Sequence, residues 1–339
     1  MSVADPLAED RLVVLIPQYN DWVALGLLLE DLDRVFTSLQ RPAHVVIIDD
    51  GSTVDAPSDF PGFTLKSLGP LTLLTLRRNL GHQRAIAIGL AYVQDKLPCS
   101  AVILMDSDGE DAPSDIPMLL ERFAQEGRQM IVFAERTRRS ETLLFVGFYN
   151  LYKLVHYILT GYKVRVGNFS VIPRKRLDSL VVVSEIWNHY AAAVFRSNQP
   201  YCAIPTQRAH RLSGKSRMNF VKLVVHGLSA ISLYSDIIGV RMLMMSMSLG
   251  VLTVLAMVLM ILIGAITQLA LPGWTATIFG ILLLILFQSV MFSILFSFII
   301  LGGRQGTSFL PCRDYVWYVG GVSKLRGDVH EKAHSQTAG

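Results

Sequence analysis

Ala101-Val102-Ile103-Leu104-Met105-Asp106-Ser107-Asp108 is the stretch on which the fold turns. Five apolar residues in a row are too few for a helix and suit a strand buried on both faces. The run stops at two carboxylates, where a buried strand of a parallel sheet reaches solvent. Upstream the same pattern recurs. Leu12-Val13-Val14-Leu15-Ile16 ends at Pro17, and Val45-Val46-Ile47-Ile48 ends at Asp49-Asp50-Gly51-Ser52. Leu71 to Leu76 predicts a third strand, and Met130 to Phe133 a fifth. Helical spacing separates them, over Leu25 to Phe36 and Gln83 to about Gln94. Strands alternating with helices predict an α/β domain with a mostly parallel sheet. Ligands of such sheets bind at the carboxyl ends of the strands, where the polar clusters fall.

The second half has a different composition. No Asp, Glu, Lys or Arg occurs between Arg241 and Arg304. About 20 apolar residues cross a bilayer, so this run holds two crossings joined at Leu271-Pro272-Gly273-Trp274. Hydrophobic residues make up 51% of the chain and charged ones 17%, an imbalance that this run explains. Arg241, Arg304, Arg313, Lys324 and Arg326 flank the hairpin, while its turn is uncharged. The positive-inside rule then places both termini in the cytoplasm, as does the acidic start, which is unlike a signal peptide. The expectation is an integral membrane protein, in a bacterial inner membrane.

Basic residues are unevenly placed. Thr142 to Leu177 and Ile186 to Ser235 contain no acid. Basic surface beside a membrane hairpin suits anionic lipid head groups, and no nucleic-acid-binding module accompanies it. Cys99, Cys202 and Cys312 are isolated, which indicates neither a disulfide framework nor a zinc site. His82, His189, His210 and His226 lack ligand spacing and are read as structural.

Two carboxylates two residues apart, Asp106 and Asp108, can reach one hard divalent cation where the chain turns. Glu110 and Asp111 add carboxylates nearby. Asp49-Asp50-Gly51-Ser52 can accept bonds from a base or ribose, with glycine allowing close approach. Each motif alone is equally at home in a solvated turn.

Together they are specific. Pro17-Gln18-Tyr19-Asn20, Asp49-Asp50-Gly51-Ser52, Asn79-Leu80-Gly81-His82-Gln83 and Asp106-Ser107-Asp108-Gly109-Glu110-Asp111 resemble glycosyltransferase family 2. Gly167-Asn168-Phe169, Arg211-Leu212-Ser213-Gly214-Lys215-Ser216-Arg217 and the terminal hairpin resemble its polyprenyl-phosphate branch, which includes dolichyl-phosphate mannose synthases and undecaprenyl-phosphate glucosyltransferases. The resemblance implies a GT-A type fold, Mg²⁺ or Mn²⁺, and inverting transfer of one sugar from a nucleotide sugar to a polyprenyl phosphate. It favours a UDP-sugar such as UDP-glucose over GDP-mannose, and some relatives are homo-tetramers. It implies donor contacts on Pro17, Tyr19, Asn20, Asp50, Ser52 and Asp106, and metal contacts on Asp106, Asp108 and Glu110. Asp21 and Glu110 depart from the usual Glu and Gln, and Asn168 from the usual Asp.

A phosphate monoester is largely dianionic at neutral pH and needs no strong base. The acceptor needs orientation and charge compensation, for which the guanidinium fork is suited. Arg136, Arg208 and Arg211 are the candidates, with Arg136 also counted as catalytic beside Asp106 and Asp108. Arg138, Arg139, Lys215 and Arg217 rank behind them.

The expected layout is a catalytic domain over 1–216, with an interfacial helix near 143–160, then a juxtamembrane amphipathic helix over 217–238. Two spanning helices near 240–268 and 275–302 follow within 239–303, and then a cytoplasmic tail over 304–339. A processive polysaccharide synthase and a catalytically inactive membrane scaffold remain alternatives.

Overall fold

The computed structural model describes residues 11–136, 157–161, 166–207, 209–213, 229, 231–267, 274–302 and 309–326. The elements run β1 (Leu12–Gln18), α1 (Trp22–Ser38), β2 (Ala43–Asp49), β3 (Leu68–Leu76), α2 (His82–Lys96) and β4 (Ala101–Leu104). Then come α3 (Ile116–Gln125), β5 (Ile131–Arg136), β6 (Ser170–Pro173), α4 (Arg174–Leu180), α5 (Tyr190–Arg196) and β7 (Tyr201–Thr206). Two long helices, α6 (Ser235–Thr267) and α7 (Trp274–Gly302), precede β8 (Val319–Arg326). They group into two compact units: Met1–Thr142 with Val164–Ser229 and Ser308–Gly339, and Leu143–Lys163 with Ala230–Thr307.

The first unit is built on an eight-stranded sheet of order β7-β5-β6-β4-β1-β2-β3-β8. β1 is parallel to both β2 and β4, and β2 to β3. Every residue of β1 and β4 is buried, as sheets covered on both faces require. Helix α1 covers one face with Leu25, Leu28, Leu29, Leu32 and Phe36, recurring at helical spacing. Helix α2 sits closer. A Cβ on Gly89 would lie 2.8 Å from Ile48 Cγ1 and 2.9 Å from Leu15 Cδ1, so glycine sets the approach.

Register aligns the functional ends. Gln18 stands beside Asp49, and the Met105 amide bonds to the Leu15 carbonyl at 3.2 Å. The carboxyl ends of β1, β2 and β4 therefore open on one edge of the sheet.

Residues 304–339, expected as a tail, instead contribute β8, which pairs antiparallel with β3 from Leu76↔Val319 to Leu71↔Arg326. The segment escapes a reading by hydropathy because it is an exposed edge strand with two glycines. Of the range 143–163, the described residues 157–161 group with the hairpin rather than with 1–216. Strands β6 and β7, not anticipated, are short or half-exposed. The expected helices over 143–160 and 217–238 lie mostly outside the described residues, although Tyr157 to Thr160 are helical.

In the second unit, α6 and α7 are each long and apolar enough to cross a membrane. Their apolar side chains face outward, and Phe287 and Phe298 are each 68% exposed. Polar and small residues line the seam between them. Ser246 Oγ and Ser293 Oγ are 2.8 Å apart, and Ser289 Oγ donates to the Ser246 carbonyl. A Cβ on Gly239 would come within 2.7 Å of Ile300 Cγ1. This is how helices associate in lipid, where close backbones and hydrogen bonds replace the hydrophobic effect. Arg241 caps the turn at 157–160, donating from Nη1 to the carbonyls of Ile158 (2.8 Å) and Leu159 (2.9 Å).

Candidate active site

The turn after β1 is stitched to the turn after β2. Gln18 Nε2 donates to Asp49 Oδ1 (2.7 Å) and to Ser52 Oγ (3.1 Å), and Ser52 Oγ also accepts from the Asn20 amide (2.8 Å). Asn20 holds φ +53°, a region asparagine tolerates, and its Oδ1 accepts from the amides of Thr53 (2.8 Å) and Val54 (3.0 Å). Asp50 is buried, and its two oxygens accept from the amides of Leu80 (2.7 Å) and Gly81 (2.9 Å), just before α2. Burial raises the pKa of Asp49 and Asp50 above the ordinary carboxylate value, against the pull of these hydrogen bonds.

The residues expected to contact the donor thus share one edge, but in different capacities. Pro17 is buried within β1 opposite Ile48. Asn20, Asp50 and Ser52 shape the edge through these internal bonds. Tyr19 presents its ring at the rim, 37% exposed.

Past β4 the chain turns at Gly109, with φ +79°. Asp108 Oδ1 accepts from the Glu110 amide (3.0 Å), and Asp111 Oδ2 accepts from the Asp106 amide (3.0 Å). The segment after β7 docks here, with the Ala209 amide on the Glu110 carbonyl (3.1 Å) and the Leu212 amide on the Asp108 carbonyl (3.0 Å). That docking delivers Arg211. Its Nη1 lies 3.0 Å from Asp108 Oδ2 and its Nη2 2.6 Å from Asp21 Oδ2. The pKa of Asp108 is raised, first by burial and then by the neighbouring charge of Asp106, with Arg211 opposing.

Two side chains from distant turns, His82 and Asn168, meet Asp106, and Gln83 holds Asn168 from behind. His82 Nε2 lies 3.0 Å from Asp106 Oδ1, and Asn168 Nδ2 lies 3.0 Å from the same nitrogen and 3.4 Å from the carboxylate. Gln83 Nε2 donates to Asn168 Oδ1 (3.2 Å), while its Oε1 accepts from the Tyr190 amide (2.7 Å). His82, read from the sequence as structural, is thus in contact with a candidate metal ligand. Lack of ligand spacing hid it, although Asn79 to Gln83 was already singled out as a motif.

Desolvation opposes charge on His82, but Asp106, then Asp108 and Asp111, outweigh it and raise its pKa. A histidine whose pKa is raised on folding contributes stability that is complete below its unfolded pKa, about 6.5, and fades as pH rises through the higher folded value. His82→Gln is expected to lose more stability relative to the parent at acidic than at alkaline pH, in chelator. Urea unfolding at the two pH values tests this, and a pH-independent difference would contradict the pairing.

Among the described residues, no three His, Cys, Asp or Glu side chains converge as a ready-made metal site. Asp106, Asp108 and Glu110 are therefore not a preformed cage. Two adjacent hard carboxylates still fit an ion whose remaining ligands are water and substrate phosphate. Arg136 ends β5 opposite Thr206, with its side chain outside the description. Arg208, Arg138, Arg139, Lys215 and Arg217 also lie outside the described residues.

Residues 13–179 match the family model of Glycosyl transferase family 2. The chain carries a glycosyl transferase family 2 domain. Its mostly parallel sheet with acidic strand ends is the GT-A-like α/β architecture expected of it. An undecaprenyl-phosphate 4-deoxy-4-formamido-L-arabinose transferase of Klebsiella pneumoniae (strain 342) is 30% identical over 129 residues, 38% of each chain. The alignment thus spans well under half of that relative. The uncharacterized glycosyltransferase YkcC of Bacillus subtilis (strain 168) is 24% identical over 289 residues, 80% of this chain and 85% of its own. Among solved structures, glucosyl-3-phosphoglycerate synthase from Mycobacterium tuberculosis with uridine diphosphate gives a TM-score of 0.46 at 14% identity, covering 68% of this chain and 81% of that one.

Proposed function

We propose that this glycosyltransferase moves a single sugar from a nucleotide sugar to a polyprenyl phosphate at the membrane surface, with inversion at the anomeric carbon. The observation that carries the reading is the placement of Asp106 and Asp108 at the strand edge of a family 2 domain, in a chain that also has two outward-facing apolar helices. The name of the Klebsiella relative supports an undecaprenyl-type acceptor.

Asp106 and Asp108 would hold Mg²⁺ or Mn²⁺, which supplies charge neutralisation for a departing nucleotide diphosphate. His82 and Asn168 orient Asp106, and the bonded turns after β1 and β2 frame the nucleotide. Tyr19 at the rim offers a ring face to the base. An acceptor phosphate already dianionic at neutral pH attacks without a strong base, so orientation and electrostatics carry the catalysis. Arg136 and Arg208 remain the proposed acceptor ligands, with Arg211 at the junction of both substrates.

The test is direct. Full-length protein in detergent is incubated with undecaprenyl phosphate and each of a panel of radiolabelled nucleotide sugars. Label should enter the chloroform phase for at least one donor, and only when lipid phosphate is present. A water-soluble polymeric product would favour a processive synthase, and no transfer or donor hydrolysis from any donor would favour an inactive scaffold.

The charge-free run with basic flanks also predicts a re-entrant pair of crossings, with both termini and the α/β unit on the cytoplasmic side. Reporter fusions at the two termini should give the same side, and an insertion at Gly273 the opposite one. Termini on opposite sides would exclude two crossings.

A further inference from the structure

Each side-chain nitrogen of Arg211 has a partner within the protein. Its Nη1 and Nη2 bind Asp108 and Asp21, and its Nε donates to the Ser213 carbonyl at 2.9 Å. The three side chains are buried to a similar depth, with Arg211 at 20%, Asp108 at 20% and Asp21 at 18% exposure. The backbone locks the contact from behind, because the Leu212 amide bonds to the Asp108 carbonyl. The Leu212 side chain also fills the space beside Gly109, where a Cβ would meet Leu212 Cγ at 2.3 Å.

Asp108 Oδ1 accepts from the Glu110 amide and Oδ2 carries the guanidinium, so a cation on either oxygen shares Asp108 with Arg211. A divalent ion and a guanidinium on one carboxylate repel each other at that spacing, so the two compete for Asp108.

We propose that Arg211 is a cationic clasp on the metal position, anchored by Asp21, and that a divalent ion binds Asp108 in competition with it. The inference rests on the reading of Asp106 and Asp108 as metal ligands. It assigns Asp21 a purpose: it retains Arg211 at the site after displacement, where the fork can turn to an incoming phosphate. It also gives Arg211 the carboxylates as partners in addition to any acceptor phosphate.

Titration of Mn²⁺ into full-length protein in detergent, followed by electron paramagnetic resonance without nucleotide or lipid, tests the clasp. Arg211→Gln should bind Mn²⁺ at least about fivefold more tightly than the parent, the low end of coupling between competing contacts. Arg211→Lys should also bind more tightly, because a single ammonium cannot bridge two carboxylates as the fork does. It keeps the charge, and so keeps the test open where Arg211→Gln fails to fold. Tightening in Arg211→Gln with parental affinity in Arg211→Lys would reduce the effect to net charge and overturn the clasp. Unchanged or weaker binding in both would overturn it too. The titration contains no sugar donor, so a failed transfer assay leaves it standing, whereas absence of Mn²⁺ binding in every variant removes the metal reading and the clasp together.

Discussion

Asp108→Asn is expected to lower sugar transfer at least about 100-fold, the scale on which electrostatic stabilisation of a leaving group is lost when one of its fixed supports is removed. The fold should survive. An asparagine Oδ1 can still accept from the Glu110 amide, as Asp108 Oδ1 does at 3.0 Å. The pKa of Asp108 is raised by burial and by Asp106. A carboxyl raised on folding costs stability once pH exceeds its unfolded value, so a neutral side chain removes that cost at pH 7. The ion pair with Arg211 opposes that rise and is already contained in its direction. Transfer into the lipid phase and a thermal melt, measured on the same preparation, separate catalysis from folding. Near-parental turnover, or full parental activity in excess chelator, would remove Asp108 from the chemistry.

Gly51→Ala is expected to destabilise the α/β unit by at least about 2 kcal/mol, from a left-handed backbone and from disturbed buried hydrogen bonds together. Gly51 holds φ +66°, and a Cβ there would lie 2.5 Å from the Arg78 carbonyl carbon and 2.6 Å from the Asn79 nitrogen. Both neighbours are backbone, so neither can rotate aside. Separating the segments also pulls Leu80 and Gly81 from the buried Asp50 carboxylate. Gly127→Ala is the control. Gly127 holds φ +62° with nothing near its absent Cβ, so that variant should cost only about 1 kcal/mol for the backbone conformation. Urea unfolding reported by Trp22, which packs edge-on against Phe60 in this unit, measures both. Equal costs for the two variants would show that close approach at Gly51 is unimportant.

Gly51 also shows how far local pattern reaches. Asp49-Asp50-Gly51-Ser52 reads as an acidic strand end, yet nothing local reveals that Asp50 spends both oxygens on amides thirty residues away. His82 makes the same point. Its neighbours Asp106 and Asn168 come from distant turns, and only the parallel order of β1, β2 and β4 beside the antiparallel β6 brings them together. The sequence marks Arg211 only as a candidate phosphate ligand, because arginine beside a membrane suits that chemistry. Its partners Asp21 and Asp108 lie 190 and 103 residues away in sequence, beyond any spacing rule.

The properties set by local pattern could be read from the sequence alone. Short apolar runs ending in carboxylates defined an α/β domain with its polar edge, and 62 consecutive residues without a formal charge, from Met242 to Gly303, defined two apolar helices. Hydrophobic period and charge exclusion are one-dimensional, because each residue answers to its own solvent. Partnership is not. Which carboxylate binds an amide, which faces a guanidinium, and that Val319–Arg326 returns as an edge strand were decided only in three dimensions. Hydrogen bonds and ion pairs act over about 3 Å, and the separation that matters to them is set by packing rather than by position along the chain.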